Sequence, residues 1–290
     1  MRTRHKLTSA VAAAATIALI GSGLASASPV ADAGNPYQRG PNPTMASIEA
    51  ERGPFAVTQA SVPAGNGFGG GTVTYPTDTS QGTFGAVAIA PGFLEPEALL
   101  GWFGPRLASQ GFVVLTFGTN SPADFPTARA DQLLAALKFL VEKSPAKDHL
   151  DHSRLAVMGV SMGGGGTLEA AARNHDLKAA VPIVPWDIGG DFAGIRTPTL
   201  VIGGEGDLIA PTPIHAKAFY DRLSPGLNKA YVEVAGGGHI GPALPNVTVA
   251  KYGISWLKRF VDNDIRYEQF LCPIPKDPKT SAFQGNCPHT

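Results

Sequence analysis

A chain of 290 residues with 43% apolar side chains can bury one substantial core, and its 23 basic and 23 acidic residues leave no net charge. With no basic cluster it lacks the electrostatic footprint of a nucleic-acid binder, and no stretch is basic enough to seek an anionic membrane surface.

Arg2, Arg4, His5 and Lys6 precede an apolar run from Leu7 to Ile20 and a small-residue stretch ending Ala25-Ser26-Ala27. That order is the order of a secretory signal peptide, 1–27, with cleavage after Ala27 or, alternatively, after Ala33. The run is too short to span a membrane and no other candidate follows, so the expected product is a soluble, secreted domain, 28–290. Without Arg2, Arg4 and Lys6 it carries 20 basic against 23 acidic residues and is slightly acidic.

Residues 28–53 are rich in Pro, Gly and Asn, with a short helical segment at Thr44–Ala50. Strands are predicted at Thr72–Pro76 and Gly85–Ala90, a helical pattern over Pro96–Gln110, and a buried strand at Gly111–Phe117. Pro126–Val141 has apolar residues at helical spacing, and Arg154–Val160 reads as the next buried strand. The pattern continues with a helix at Met162–Asn174, strands at Lys178–Val184 and Thr199–Gly203, a helix at Thr212–Leu223, a strand at Ala230–Val234 and a helix at Asn246–Val261. Apolar strands alternating with helices predict one α/β domain, a mostly parallel sheet with helices on both faces and catalytic loops at the carboxyl ends of the strands. Neither an internal repeat nor a dividing linker interrupts it. The stretch Trp186–Thr197 is too short to hold a lid domain, which predicts an open site.

Arg154 to Thr167 runs from an apolar strand through Gly159-Val-Ser161-Met-Gly163 into a helical pattern. In a glycine-rich chain that pentapeptide alone arises by chance, but the strand–turn–helix context is that of the nucleophile elbow of an α/β-hydrolase. A serine hydroxyl needs a base to take its proton, and the base needs an acid to fix its tautomer. In this fold class they follow the nucleophile in the order acid, then histidine, each on a loop after a later strand. Among the seven histidines only His239 sits just beyond a late strand. The strand Thr199–Gly203 is followed by Glu205 and Asp207; Asp207 is the favoured acid and Glu205 the competitor, while Asp187 and Asp191 suit loop capping. Oxyanion donors are expected from the backbone N–H of Met162 and, after Ala90, the N–H of Phe93, whose side chains would line the cleft. Cys272 and Cys287, the two cysteines of the chain, pair by default in an exported protein, a free pair being the alternative.

Gly-Val-Ser161-Met-Gly-Gly-Gly-Gly, Pro91-Gly92-Phe93, Gly104-Pro105-Arg106-Leu107-Ala108-Ser109, Pro185-Trp186, Asp207-Leu-Ile-Ala-Pro, His215-Ala-Lys and Gly-Gly-His239 together resemble the secreted actinobacterial cutinases and polyester hydrolases, a group that includes poly(ethylene terephthalate) hydrolases. The resemblance spans Asn35 to Cys287. It implies a carboxylic ester hydrolase acting on polymeric or small esters, with Ser161, Asp207 and His239 as triad, Phe93 and Met162 as oxyanion donors, Trp186 against the acyl or aromatic part of the substrate, and Cys272–Cys287 as the C-terminal disulfide. Three positions depart from the family pattern: Val160 before the nucleophile, Leu94 after the aromatic oxyanion residue and Ile240 after the histidine. All three are expected to make the cleft wall more aliphatic. Of the acidic positions that bind calcium in some relatives Glu205 matches one, but Ala235 stands where another acid belongs, so neither metal nor cofactor is expected. The expectation is a monomeric serine esterase. An exported triacylglycerol lipase or acyltransferase would use the same triad, and a non-catalytic surface protein is the remote alternative.

Overall fold

The computed structural model describes residues 34–289. The proposed signal segment 1–27, with both cleavage positions, lies outside them. Asn35–Thr290 form one compact unit.

Among the described residues nine strands build one sheet: β1 (Val57–Val62), β2 (Gly71–Pro76), β3 (Phe84–Ala90), β4 (Phe112–Phe117), β5 (Leu150–Val160), β6 (Ala179–Ile183), β7 (Thr199–Gly204), β8 (Lys229–Val234) and β9 (Thr280–Gly285). Their spatial order is β1-β2-β4-β3-β5-β6-β7-β8-β9. The block from β4 to β8 is parallel, and β1, β2 and β9 pair antiparallel at the two sides. Among the described residues six α-helices accompany it: α1 (Met45–Glu49), α2 (Phe103–Ala108), α3 (Pro126–Glu142), α4 (Met162–Arg173), α5 (Ala216–Arg222) and α6 (Val247–Phe260).

Strand alternation divides the core into two layers. Ala86, Ala88, Val157, Ala180, Val201 and Tyr231 face one side, with Leu133 and Leu140 of α3, Leu168 of α4 and Phe219 of α5. Val87, Ile89, Ala156, Met158, Ile202 and Val232 face the other, with Leu107 of α2 and Ile254, Trp256 and Leu257 of α6. Side chains on both faces of each central strand are buried, which is why those strands read as unbroken apolar runs.

Several expectations are corrected. The single helix foreseen over Pro96–Gln110 is a 3-10 turn, Glu97–Leu100, followed by the short α2, because Gly101 ends the first turn and Pro105, which cannot donate to a preceding carbonyl, is tolerated only in the first turn of α2. Only Ala216–Arg222 of the segment Thr212–Leu223 is helical; Pro211 and Pro213 keep the residues before it in turns. Strand β5 starts four residues before Arg154, its polar Asp151-His152-Ser153 lying half-exposed to exposed. β9, after the last predicted helix, and β1, before the first predicted strand, are elements the sequence reading did not include.

Between β6 and β7 the chain forms neither helix nor strand, so nothing is built over the carboxyl ends of the parallel strands from that connection.

Candidate active site

Strand β5 delivers the chain to Ser161, where φ is 54° and ψ −117°, a conformation a β-carbon disfavours. The elbow is tight on both sides. A β-carbon on Gly159 would lie 2.2 Å from the Gly163 carbonyl oxygen, and one on Gly163 would lie 2.4 Å from that of Ala90, so glycine is required at both positions. The Ser161 N–H donates to the Ile183 carbonyl at 2.9 Å, and the Ser161 carbonyl accepts from Trp186 N–H at 2.9 Å. Backbone bonds to β6 and the loop after it thus hold the strained turn.

His239 Nε2 stands 2.9 Å from Ser161 Oγ, and His239 Nδ1 stands 2.7 Å from Asp207 Oδ2. Asp207 is buried, and its other oxygen, Oδ1, accepts the N–H groups of Ile209 (2.8 Å) and Ala210 (2.7 Å). That leaves Oδ2 aimed at the ring. In this arrangement the acid fixes the tautomer with its proton on Nδ1 and a lone pair on Nε2, which is the state that can accept the serine proton.

Glu205 has a different position. Its carboxylate accepts the Gly236 N–H at 2.8 Å and its carbonyl the Gly238 N–H at 2.9 Å. It ties the loop after β7 to the loop carrying His239 and does not touch the imidazole. Asp187 caps its own loop, its Oδ1 accepting from Gly189 (2.9 Å) and Gly190 (3.2 Å), and burial pushes its carboxyl above the ordinary range.

The loop after β3 passes close to Ser161: a β-carbon on Gly92 would lie 3.1 Å from Ser161 Cβ. Phe93 is the next residue, and Met162 is the first residue of α4. Among the described residues neither backbone N–H donates to another protein backbone group. The Trp186 indole is half-buried between Phe125, 6.2 Å away, and the His215 ring, stacked at 6.1 Å. Burial keeps His215 below the ordinary histidine range, so it is neutral at pH 7. A cavity of about 430 Å³ beside this pair is lined by Asp187, Ile188, Ile214, His215 and Arg222 among others.

Leu94 and Ile240 are exposed, but Val160 is a correction. It is 2% exposed and packs in the layer beneath the sheet with Met158 and Ile183, so it does not wall the cleft. Strand alternation sends Val160 to the side of Ala156 and Met158, away from the surface reached by the turn.

Residues 31–288 match the PETase family, described as PET hydrolase-like. The chain belongs to that family. This PET hydrolase-like chain is 51% identical, over 99% of its length and 93% of the relative's, to a bis(hydroxyethyl) terephthalate hydrolase of Streptomyces coelicolor. It is 48% identical to a cutinase of Thermobifida fusca, over 96% of this chain and 93% of that one. With cutinase 1 of Thermobifida cellulosilytica it shares 49% identity over 88% of its own length and 99% of the relative's.

Two features of the PET hydrolase-like site escaped the sequence reading. Glu95 folds back onto the Gly92 N–H, and the fully buried Arg129 donates to the carbonyls of Pro91, Pro122 and Asp124 at 2.9, 3.0 and 2.7 Å. Arg129 did leave a signal. It falls on the apolar stripe of α3 with Leu133, Ala136 and Leu140, where a charged side chain must find buried partners.

Proposed function

We propose that this chain is an exported serine carboxylic ester hydrolase that cleaves polyesters of the cutin and poly(ethylene terephthalate) kind and short soluble esters. Residues 1–27 act as the export signal and 28–290 as a single catalytic domain. The observation that carries the reading is the continuous chain of contacts from Ser161 Oγ through His239 to Asp207. Family membership and the names of the relatives support the substrate class.

In the first step His239 Nε2 takes the Ser161 proton while Oγ attacks the ester carbonyl. The backbone N–H groups of Phe93 and Met162 receive the oxyanion, the second aided by its position at the N-terminus of α4. Collapse of the tetrahedral intermediate expels the alcohol, which takes the proton from His239, and leaves an acyl group on Ser161. Water, activated by the same imidazole, then releases the acid.

A polymer needs an accessible, apolar landing surface. Phe93 and Leu94 after β3, Phe125 after β4, Ile188 after β6, Leu208 and Ile209 after β7, and Ile240 after β8 are all exposed, Leu208 to 92%. Each lies on a loop leaving the carboxyl end of a strand, the end that carries the triad, and Trp186 adds an aromatic face there. We assign Leu94, Ile240, Trp186, Phe93 and Met162 to the substrate surface.

Ser161→Ala decides the reading. The variant should lose hydrolysis of a p-nitrophenyl ester and of a polyester film while keeping the native unfolding temperature; retained hydrolysis refutes it. Wild-type protein that releases acid from a triglyceride emulsion but none from the film is a lipase instead.

A further inference from the structure

The turn after β3 is unusually well tied. Glu95 N–H donates to the Gly92 carbonyl at 3.2 Å, and the Glu95 carboxylate Oε2 in return accepts the Gly92 N–H. Leu94 sits at φ 55°, in the left-handed region that a γ-branched side chain avoids, and its N–H donates to the Pro122 carbonyl at 2.9 Å. Arg129 holds the Pro91 carbonyl from below. In the run from Gly92 to Glu95 three amides therefore have acceptors: Gly92, Leu94 and Glu95. The fourth, Phe93, has no backbone acceptor among the described residues. It is the one that the catalytic mechanism needs free.

The acceptor for Gly92 is expensive to place there. Burial pushes the Glu95 carboxyl above its ordinary range, opposed by the Gly92 N–H and by the charge of Arg129. Gly92 is buried, so its N–H cannot be left to water and needs an acceptor. A half-buried carboxylate is a stronger acceptor, and it fixes direction. The site of this bond is also close to the chemistry: a β-carbon on Gly92 would lie 2.9 Å from Glu95 Oε2 and 3.1 Å from Ser161 Cβ. One glycine separates the carboxylate from the nucleophile.

We propose that Glu95 is a positioning residue for the oxyanion hole: by accepting the Gly92 N–H it fixes the peptide that follows, so that the Phe93 N–H faces the developing oxyanion. It rests on the serine-esterase reading given above. Glu95 acts through Gly92 and Phe93 and touches no reacting atom. Its contribution is realised in the tetrahedral state, where the Phe93 donor is used, and is nearly absent in the ground-state complex.

The test uses the full-length secreted protein, a soluble p-nitrophenyl ester and a boronic acid that forms a tetrahedral adduct on the serine. Glu95→Ala should lower kcat about 30-fold, with KM within about threefold, and weaken the boronic acid by a similar factor. Glu95→Gln, whose Oε1 accepts the same N–H, should recover all but about threefold of the loss. Should the alanine variant not fold, Glu95→Asp, too short to reach Gly92, carries the same expectation. An unchanged kcat, a loss with unaltered boronic acid affinity, or a glutamine variant as impaired as the alanine one overturns the proposal. Ser161→Ala separates the two levels: residual hydrolysis there sinks the serine-esterase reading itself, whereas a dead Ser161→Ala beside a fully active Glu95→Ala sinks the role of Glu95 alone.

Discussion

Asp207 Oδ2 lies 2.7 Å from His239 Nδ1, while Glu205, two residues earlier, spends its carboxylate on the Gly236 N–H. Two acids on one loop thus have different partners. Asp207→Asn presents an amide where a proton acceptor is needed and favours the wrong imidazole tautomer, so kcat for a soluble ester should fall by about 10³ to 10⁴. Glu205→Gln keeps an acceptor for Gly236 and should change kcat by less than about fivefold. Steady-state kinetics of the two variants, side by side, decide it; equal losses would remove the assignment of Asp207.

The apolar rim predicts a division between polymer and soluble substrate. Leu208 and Ile209 directly follow Asp207, and Ile240 follows His239, yet none contributes an atom to the contacts among Ser161, His239 and Asp207. Leu208→Ser combined with Ile209→Ser removes exposed aliphatic surface worth about 2 kcal/mol of burial against a film. Adsorption to a polyester film should weaken about tenfold or more, with hydrolysis of a p-nitrophenyl ester within about twofold of wild type. Depletion isotherms measure the first and initial rates the second. Undiminished adsorption would mean that polymer does not dock on these loops.

What the sequence could convey depended on burial. Phe84–Ala90 and Phe112–Phe117 are covered on both faces, so they stand out as apolar runs and the parallel centre could be read directly. Val57–Val62 is an edge strand whose Thr58, Gln59 and Ser61 face outward or sideways, and it carries no such run. Thr280–Gly285 is recruited by pairing with β8, a long-range event that local composition does not encode. Ser161, Asp207 and His239, which the structure joins by contacts, could be picked out because they follow separate strands in a fixed order. Val160 was misjudged for the opposite reason: adjacency to Ser161 in sequence says nothing of direction, and strand period turns it into the core. Glu95 was missed because its partner is set by the shape of a four-residue turn, not by spacing.

The tail should depend on its covalent closure. Cys272 and Cys287 form a disulfide across a separation of 15 residues, and β9 lies inside the loop they close. In the chain-entropy account the bond stabilises by about 3 kcal/mol. Cys272→Ser combined with Cys287→Ser should lower the stability extrapolated from denaturant by that amount. Because β9 pairs at the margin of the sheet and Ser161, Asp207 and His239 stand on loops after β5, β7 and β8, kcat at 25 °C should stay within about twofold. An unchanged denaturation midpoint would show that pairing with β8 holds the tail unaided.

Lys251 of α6 joins the two ends of the compact unit, its ammonium 2.8 Å from Glu49 Oε1 in α1 and 2.7 Å from Asp277 Oδ2 ahead of β9. The hydrogen bond from Lys251 holds the Glu49 carboxyl below its ordinary range. For Asp277 burial acts upward, but the bonds from Lys251, the Lys279 N–H and Tyr252 together outweigh it and the carboxyl is also held low. Both groups bind a proton more weakly in the folded chain than in the unfolded one. Their stabilisation is therefore complete above the ordinary carboxylate range, about pH 4, and is lost as pH falls through the lowered folded values. Lys251→Met should destabilise by about 2 kcal/mol at pH 7, less than a fully buried pair because Glu49 is partly exposed. The gap between wild type and variant should then narrow from pH 5 to pH 3 as both carboxylates protonate. Thermal unfolding across that range measures it, and parallel curves for the two proteins would exclude Lys251 as the source of the acid sensitivity.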